Sequence, residues 1–139
     1  MPVSIGLEAL HWENYRSLRG RRVGLFTNPS AVNRRLESTY ALLARDLAGE
    51  LVALFAPEHG LDGAAPAGES LSTVADLGTG LPVYSLYGEA LRPTAAMLEG
   101  LDVIVCDVQD IGVRYYTYAW ALSYLLEAAG EAGVAVMIL

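Results

Sequence analysis

Short apolar runs alternate along the chain with stretches in which hydrophobic residues recur at helical spacing. Arg22-Val23-Gly24-Leu25-Phe26-Thr27, Leu51-Val52-Ala53-Leu54-Phe55-Ala56, Pro82-Val83-Tyr84-Ser85-Leu86, Asp102-Val103-Ile104-Val105-Cys106-Asp107 and Val134-Ala135-Val136-Met137-Ile138-Leu139 predict five strands. Four of these are almost continuous in apolar residues, the pattern of strands covered on both faces. Between them, Leu36, Tyr40, Leu43 and Leu47 predict one helix, and Ala119, Leu122, Leu126 and Ala129 predict another. Pro93 stands where a first helical turn tolerates it, and Gly100 stands just past the end of the same short helix. Strand–helix alternation of this kind predicts an α/β domain with a mostly parallel sheet of about five strands and right-handed crossovers. The stretch from Pro57 to Leu81 is rich in Gly, Ala, Ser and Thr and has no period. It predicts a long loop of functional or mobile character.

At 139 residues the chain suits one domain, numbered 1–139 here. A domain of this size hides roughly two-thirds of its unfolded surface, enough for a real core. Hydrophobic residues at 53% against 18% charged place it among globular chains. No apolar run approaches the ~20 residues of a membrane span. The opening, Met1 to Leu7, lacks a basic stretch followed by an apolar one. As written, the sequence is expected to have no signal peptide (cytoplasmic as written), and the localisation is left open because the true start could lie upstream. The last apolar run has no covering element after it, which is expected of a piece of a longer protein. The net charge is −7 and all basic residues are arginine. An acidic surface repels phosphate backbones, which argues against nucleic acid as a partner. The single cysteine, Cys106, lies inside an apolar run and reads as a small buried hydrophobe. Oligomeric state is left open.

In an open parallel sheet, ligands bind beyond the carboxyl ends of the strands. Three loops leaving that edge are unusually polar. After the first strand, Asn28 or Ser30 offers hydrogen bonds to a ligand, although Asn and Pro also make an ordinary turn. No glycine-rich phosphate-binding pattern accompanies them, so a dinucleotide site or P-loop is unsupported. After the second strand, Pro57-Glu58-His59-Gly60 places two titratable groups at a strand exit. Partial desolvation there is expected to raise the pKa of Glu58 towards the range of a general acid. A surface turn with an incidental ion pair explains the same residues equally well. After the fourth strand come Asp107, Gln109, Asp110, Arg114, Tyr115, Tyr116, Thr117 and Tyr118. Tyrosines at a cleft suit sugars, offering an apolar face and a hydroxyl, while Asp110 or Thr117 also suits a helix cap. A two-aspartate phosphatase would want Asp-x-Asp after the first strand, and zinc would want several His or Cys ligands. With only His11 and His59 the chain offers neither, and no cofactor or metal is expected.

Several segments together resemble one family: Gly20 to Asn33, Phe55-Ala56-Pro57-Glu58-His59-Gly60, Ala67-Gly68-Glu69, Gly80 to Gly88, Arg92-Pro93-Thr94, and Asp107 to Tyr118. In order and spacing they are similar to the NamZ-type exo-β-N-acetylmuramidases. The resemblance implies a Rossmann-like, three-layer amino-terminal domain, truncated here before a smaller second domain, with the active site between the two. It implies release of N-acetylmuramic acid from the non-reducing end of peptidoglycan fragments, by proteins that are often exported. The essential glutamate of the family's Pro-Glu-His-Gly motif maps to Glu58. Family members often carry an arginine and an acidic residue after the His-Gly step, where this chain has Leu61-Asp62-Gly63-Ala64-Ala65-Pro66.

Glycoside hydrolysis uses an acid to protonate the leaving oxygen and a carboxylate as base or nucleophile. Glu58 is expected to be the acid or acid/base, with His59 orienting it. Asp107 or Asp110 is preferred over Glu69 as the second carboxylate, because a strand end is more rigid than a long loop. Arg114 is expected to pair with the lactyl carboxylate of muramic acid, or else with Asp107 or Asp110. Asn28, Glu69, Gln109 and Tyr116 complete the expected substrate contacts. The alternatives are a metal-assisted hydrolase using Glu58, His59, Asp107 and Asp110, and a non-catalytic sugar-binding module.

Overall fold

Alternation of side chains along three strands builds two cores, one on each face of a sheet. In the computed structural model, which describes residues 3–139, these strands are β1 (Val23–Thr27), β2 (Leu51–Ala56) and β5 (Val103–Asp107). Val23, Leu25, Leu54, Val103 and Val105 point to one face, and Phe26, Phe55, Ile104 and Cys106 to the other. Helices α1 (Gly6–Trp12) and α2 (Thr39–Asp46) cover the first face through Leu7, Leu10, Leu42 and Leu43. Helices α3 (Ala95–Leu98) and α4 (Tyr118–Ala132) cover the second through Leu98, Ala121, Leu125 and Ala129. Gly24 leaves room that side chains of the flanking strands fill on the second face, since a Cβ there would lie 3.1 Å from the Phe55 ring and 3.3 Å from Ile104. The result is a three-layer, Rossmann-like α/β domain, as expected.

The remaining strands are β3 (Val74–Ala75), β4 (Pro82–Ser85) and β6 (Ala135–Ile138). The sheet order is β3-β4-β2-β1-β5-β6, parallel throughout except where β3 pairs antiparallel with β4. The chain therefore winds outward in both directions from β1. Its topological switch point lies between β1 and β5, where such sheets open a crevice at their carboxyl edge.

The mostly parallel sheet of about five strands has a sixth, because two exposed residues inside the expected 57–81 loop pair with the edge of β4. Four expectations are corrected. Leu36 lies outside α2, 81% exposed and with a φ of 62°, because Ser38 caps the helix by accepting from the Ala41 N–H. Pro93 precedes the first turn of α3, whose cap is Thr94. In α4 the expected Ala129 is buried, but the rest of the buried stripe runs through Tyr118, Ala121, Leu125 and Ala128, leaving Ala119 exposed and Leu126 42% exposed. β6 is an edge strand with Ile138 60% exposed, so it is not covered as a central strand would be. Met1 and Pro2, part of the segment read for a leader, lie outside the described residues. Among those described, no helix is long and apolar enough to cross a membrane.

Candidate active site

β2 ends at Ala56, and the buried Pro57 carries the chain over the sheet edge to Glu58. His59 and Gly60 then adopt φ values of 74° and 81°, reversing the chain sharply, with the Gly60 N–H donating to the Pro57 carbonyl at 3.1 Å. A left-handed histidine is uncommon and is retained where its surroundings hold it. Here Nδ1 lies 2.8 Å from the Ala65 carbonyl. A carbonyl only accepts, so Nδ1 carries the proton. His59 thus braces the 59–65 turn that sets the direction of Glu58.

The Glu58 carboxylate collects donors from two other parts of the chain. The Gly68 N–H donates to Oε1 at 3.2 Å, and the Thr117 hydroxyl donates to Oε2 at 2.9 Å. Tyr87, from the loop after β4, lines the same cavity, and its hydroxyl also acts to lower the pKa of the carboxylate. Thr117 stands at the N-cap position of α4 but makes no capping bond. Its hydroxyl serves Glu58 instead, which puts the carboxylate beside the positive end of a 15-residue helix. Burial is the largest single influence on Glu58 and raises its pKa, but the bonds from Thr117 and Gly68, together with the nearby Tyr87 hydroxyl, outweigh it and hold the pKa below the ordinary glutamate value. The expected upward shift is therefore reversed, and the resting carboxylate is ionised at neutral pH.

Beside Glu58 opens a cavity of about 480 Å³, lined in part by Tyr87, Leu91, Thr117, Trp120 and Tyr124. That volume falls within the range of small-molecule sites. No arginine or histidine lines it. The 57–72 loop forms one wall and presses on its neighbours. A Cβ on Gly63 would lie 3.0 Å from Pro29, and Gly88 packs directly on the backbone of Ser70.

Residues 23–139 match the sequence profile of the family described as Exo-beta-N-acetylmuramidase NamZ, N-terminal. The chain belongs to the NamZ N-terminal family. It is 43% identical over 137 residues to the Peptidoglycan beta-N-acetylmuramidase NamZ of Bacillus subtilis (strain 168), covering 99% of this chain and 33% of that protein. The chain thus spans about a third of the length of that curated relative. Two crystal structures of DUF1343 family proteins from Bacteroides fragilis share the fold. One has a TM-score of 0.85 at 44% identity, over 96% of this chain and 33% of that one, and the other 0.77 at 28% identity, over 100% and 35%.

Within this NamZ domain the expected site residues fall into two groups. Glu58 lines the cavity and Tyr116 does not: Tyr116 packs on Tyr118 with ring centroids 4.4 Å apart in a tilted arrangement, and the neighbouring Tyr118 hydroxyl, with burial, raises its pKa, the charges of Asp110 and Glu58 adding less. Asp107 belongs to the switch point and does not line the Glu58 cavity. Its carboxylate accepts from the Thr39 hydroxyl, and burial raises its pKa more than that bond lowers it. Opposite it in register is Thr27, whose buried hydroxyl has no partner among the described residues. Asn28 is buried at the same edge and accepts from the Ser30 hydroxyl at 2.8 Å.

Asp110 is exposed and accepts from the Gly112 N–H at 2.6 Å, while Gln109 donates to the Asp110 carbonyl at 2.8 Å, so both shape their own turn. Arg114 is exposed and forms no ion pair among the described residues, so it bridges to neither Asp107 nor Asp110. Glu69 is exposed and outside the cavity lining. Among the described residues no three His, Cys, Asp or Glu side chains are grouped to hold a metal ion. Cys106 is buried, its thiol pushed up to about 12 by desolvation. His11 lies within 3.0 Å of the Tyr15 hydroxyl, tying α1 to the segment after it.

The sequence reading missed Tyr87, Trp120, Tyr124 and the Gly68 N–H. Tyr87 and Gly68 stand inside segments that carried the family resemblance, which was the available signal for both.

Proposed function

We propose that this domain carries the acid/base centre of an exo-acting N-acetylmuramidase, which releases N-acetylmuramic acid from the non-reducing end of peptidoglycan fragments. The observation that carries the reading is the Glu58 carboxylate, held by Gly68 and Thr117 at the wall of a cavity lined with the aromatic rings of Tyr87, Trp120 and Tyr124. The name of the Bacillus subtilis relative supports the substrate class.

Glu58 starts ionised, and desolvation is already the largest single influence on its pKa. A sugar filling the cavity displaces water and strengthens that influence, driving the carboxylate to take up the proton it then gives to the leaving oxygen. His59 acts through the 59–65 turn as a positioning residue. Asp107, at the rigid end of β5 with a raised pKa, is the preferred second carboxylate, and Asp110 is the other candidate. Arg114, exposed and without an ion pair among the described residues, is read as the partner of the lactyl carboxylate. Because the chain spans a third of its curated relative, the rest of such a protein is read as closing the cleft over this edge.

The test is Glu58→Gln in the full reading frame that contains this chain, assayed by release of muramic acid from a chromogenic muramide. Loss of a general acid lowers turnover by roughly 10²–10⁴-fold. Turnover within a few-fold of the parent removes Glu58 from the mechanism.

A further inference from the structure

Trp120 is 64% exposed although its neighbour Ala121 and, one turn on, Leu125 are buried. Tyr124 follows it by four positions, so the two rings share one side of α4 and both line the Glu58 cavity. Large aromatic rings left open in a concave site offer a flat apolar surface, and a pyranose ring has a matching face of C–H bonds. The cavity's charge pattern narrows what sits there. Glu58 is ionised at rest, and neither arginine nor histidine lines the cavity, while lysine is absent from the whole chain. A second carboxylate brought into this apolar space would find no compensating cation among the described residues, which is strongly unfavourable whether or not Glu58 has taken up its proton. Arg114, which forms no ion pair among the described residues, is exposed and lies outside the lining.

We infer that Trp120 and Tyr124 form a stacking platform for the uncharged face of an N-acetylhexosamine ring, and that this cavity does not discriminate N-acetylmuramic acid from N-acetylglucosamine. The lactyl carboxylate is read outside it. The inference deepens the glycosidase reading and rests on it for the sugar class. It assigns ring binding and muramic acid specificity to different residues: Trp120 and Tyr124 hold any N-acetylhexosamine, and Arg114 selects the one with a lactyl group.

The chain has two tryptophans, and Trp12 lies on α1, lining a separate depression beside Arg34. Within residues 1–139, Trp12→Phe therefore leaves Trp120 as the one indole, and in the full reading frame the part of the emission change that Trp120→Phe removes is its signal. Titration of this variant with methyl β-N-acetylglucosaminide and methyl β-N-acetylmuramide is expected to change Trp120 emission in both cases. Adding Arg114→Gln weakens binding of the muramide alone. Adding Tyr124→Ala weakens both sugars roughly tenfold, the scale of one aromatic contact, and Tyr124→Phe, which keeps the ring, restores them. Emission unchanged by either sugar up to its solubility limit overturns the platform, and a response to the muramide alone overturns the division of labour. If the sugars leave Trp120 untouched while Glu58→Gln still abolishes turnover, the platform fails and the glycosidase reading stands. If both sugars bind and Glu58→Gln keeps its turnover, the reverse holds.

Discussion

Replacing Gly88 with alanine tests whether the 57–72 loop is locked against the edge of the sheet. Gly88 has a φ of 93°, and an alanine Cβ there would lie 2.7 Å from the Ser70 Cβ and 2.9 Å from its Cα, with the hydroxyl closer still. Two costs combine. Holding a residue with a Cβ in left-handed backbone costs about 1–2 kcal/mol, and forcing a methyl group into occupied space costs about 1–3 kcal/mol more. Gly88→Ala is therefore expected to destabilise the domain by about 2–5 kcal/mol, a large part of the ~5–15 kcal/mol typical of a domain. Gly20 supplies the control, since it has a φ of 71° with nothing within 4 Å of a built Cβ. Gly20→Ala meets only the backbone cost, about 1–2 kcal/mol. Urea denaturation followed by circular dichroism measures both. Ser70 displaced by the new methyl group takes Gly68 with it, so Glu58 loses a donor and its pKa moves up towards the ordinary value. Equal destabilisation by the two alanines would refute the packing of loop on loop, and an unmoved Glu58 titration would refute the link to the carboxylate.

Three further outcomes follow from the same geometry. Thr117→Val removes a donor from Glu58, whose depressed pKa contributes stability that is present above the ordinary carboxylate range and lost as pH falls through the folded value. The variant is expected to lose that contribution at higher pH, seen by NMR titration of the Glu58 side-chain carboxyl, and an unchanged titration contradicts it. Asp107 has the opposite sign, because its raised pKa contributes stability present at low pH and lost as pH rises through the folded value. Asp107→Asn should therefore lose less stability than the parent between the carboxylate range and neutrality, measured by urea midpoints across that interval, and parallel curves would contradict the assignment. Leu125→Ala empties a site with no exposure between α4 and the sheet and should cost about 2–5 kcal/mol, whereas a cost below about 1 kcal/mol would mean the layer is loosely packed.

The strands were legible because a buried parallel strand must be apolar on both faces, and β1, β2 and β5 have runs with almost no polar interruption. β3 was not, because two exposed residues held by one neighbour leave no pattern. The α4 stripe was misplaced because Tyr-Ala-Trp-Ala-Leu-Ser-Tyr-Leu-Leu is apolar all around the helix, and contact with the sheet alone selects the buried side. Glu58 stood out as a titratable group at a strand exit. The sign of its pKa shift did not, since that depends on donors ten and fifty-nine positions away that only the fold brings together. Thr117 read as a cap because of its place before a helix, and Trp120 was hidden by the apolar run around it. In both cases the fold decides which way the side chain is used.

The most direct measurement is a crystal structure of the Glu58→Gln protein, from the full reading frame, with a methyl β-muramide bound. The account expects the ring against Trp120, the glycosidic oxygen within hydrogen-bond distance of the residue 58 side chain, and the lactyl group directed out of the cavity. A sugar seated elsewhere on the sheet edge, with residue 58 still held by Gly68 and Thr117 and touching no part of it, would contradict the account.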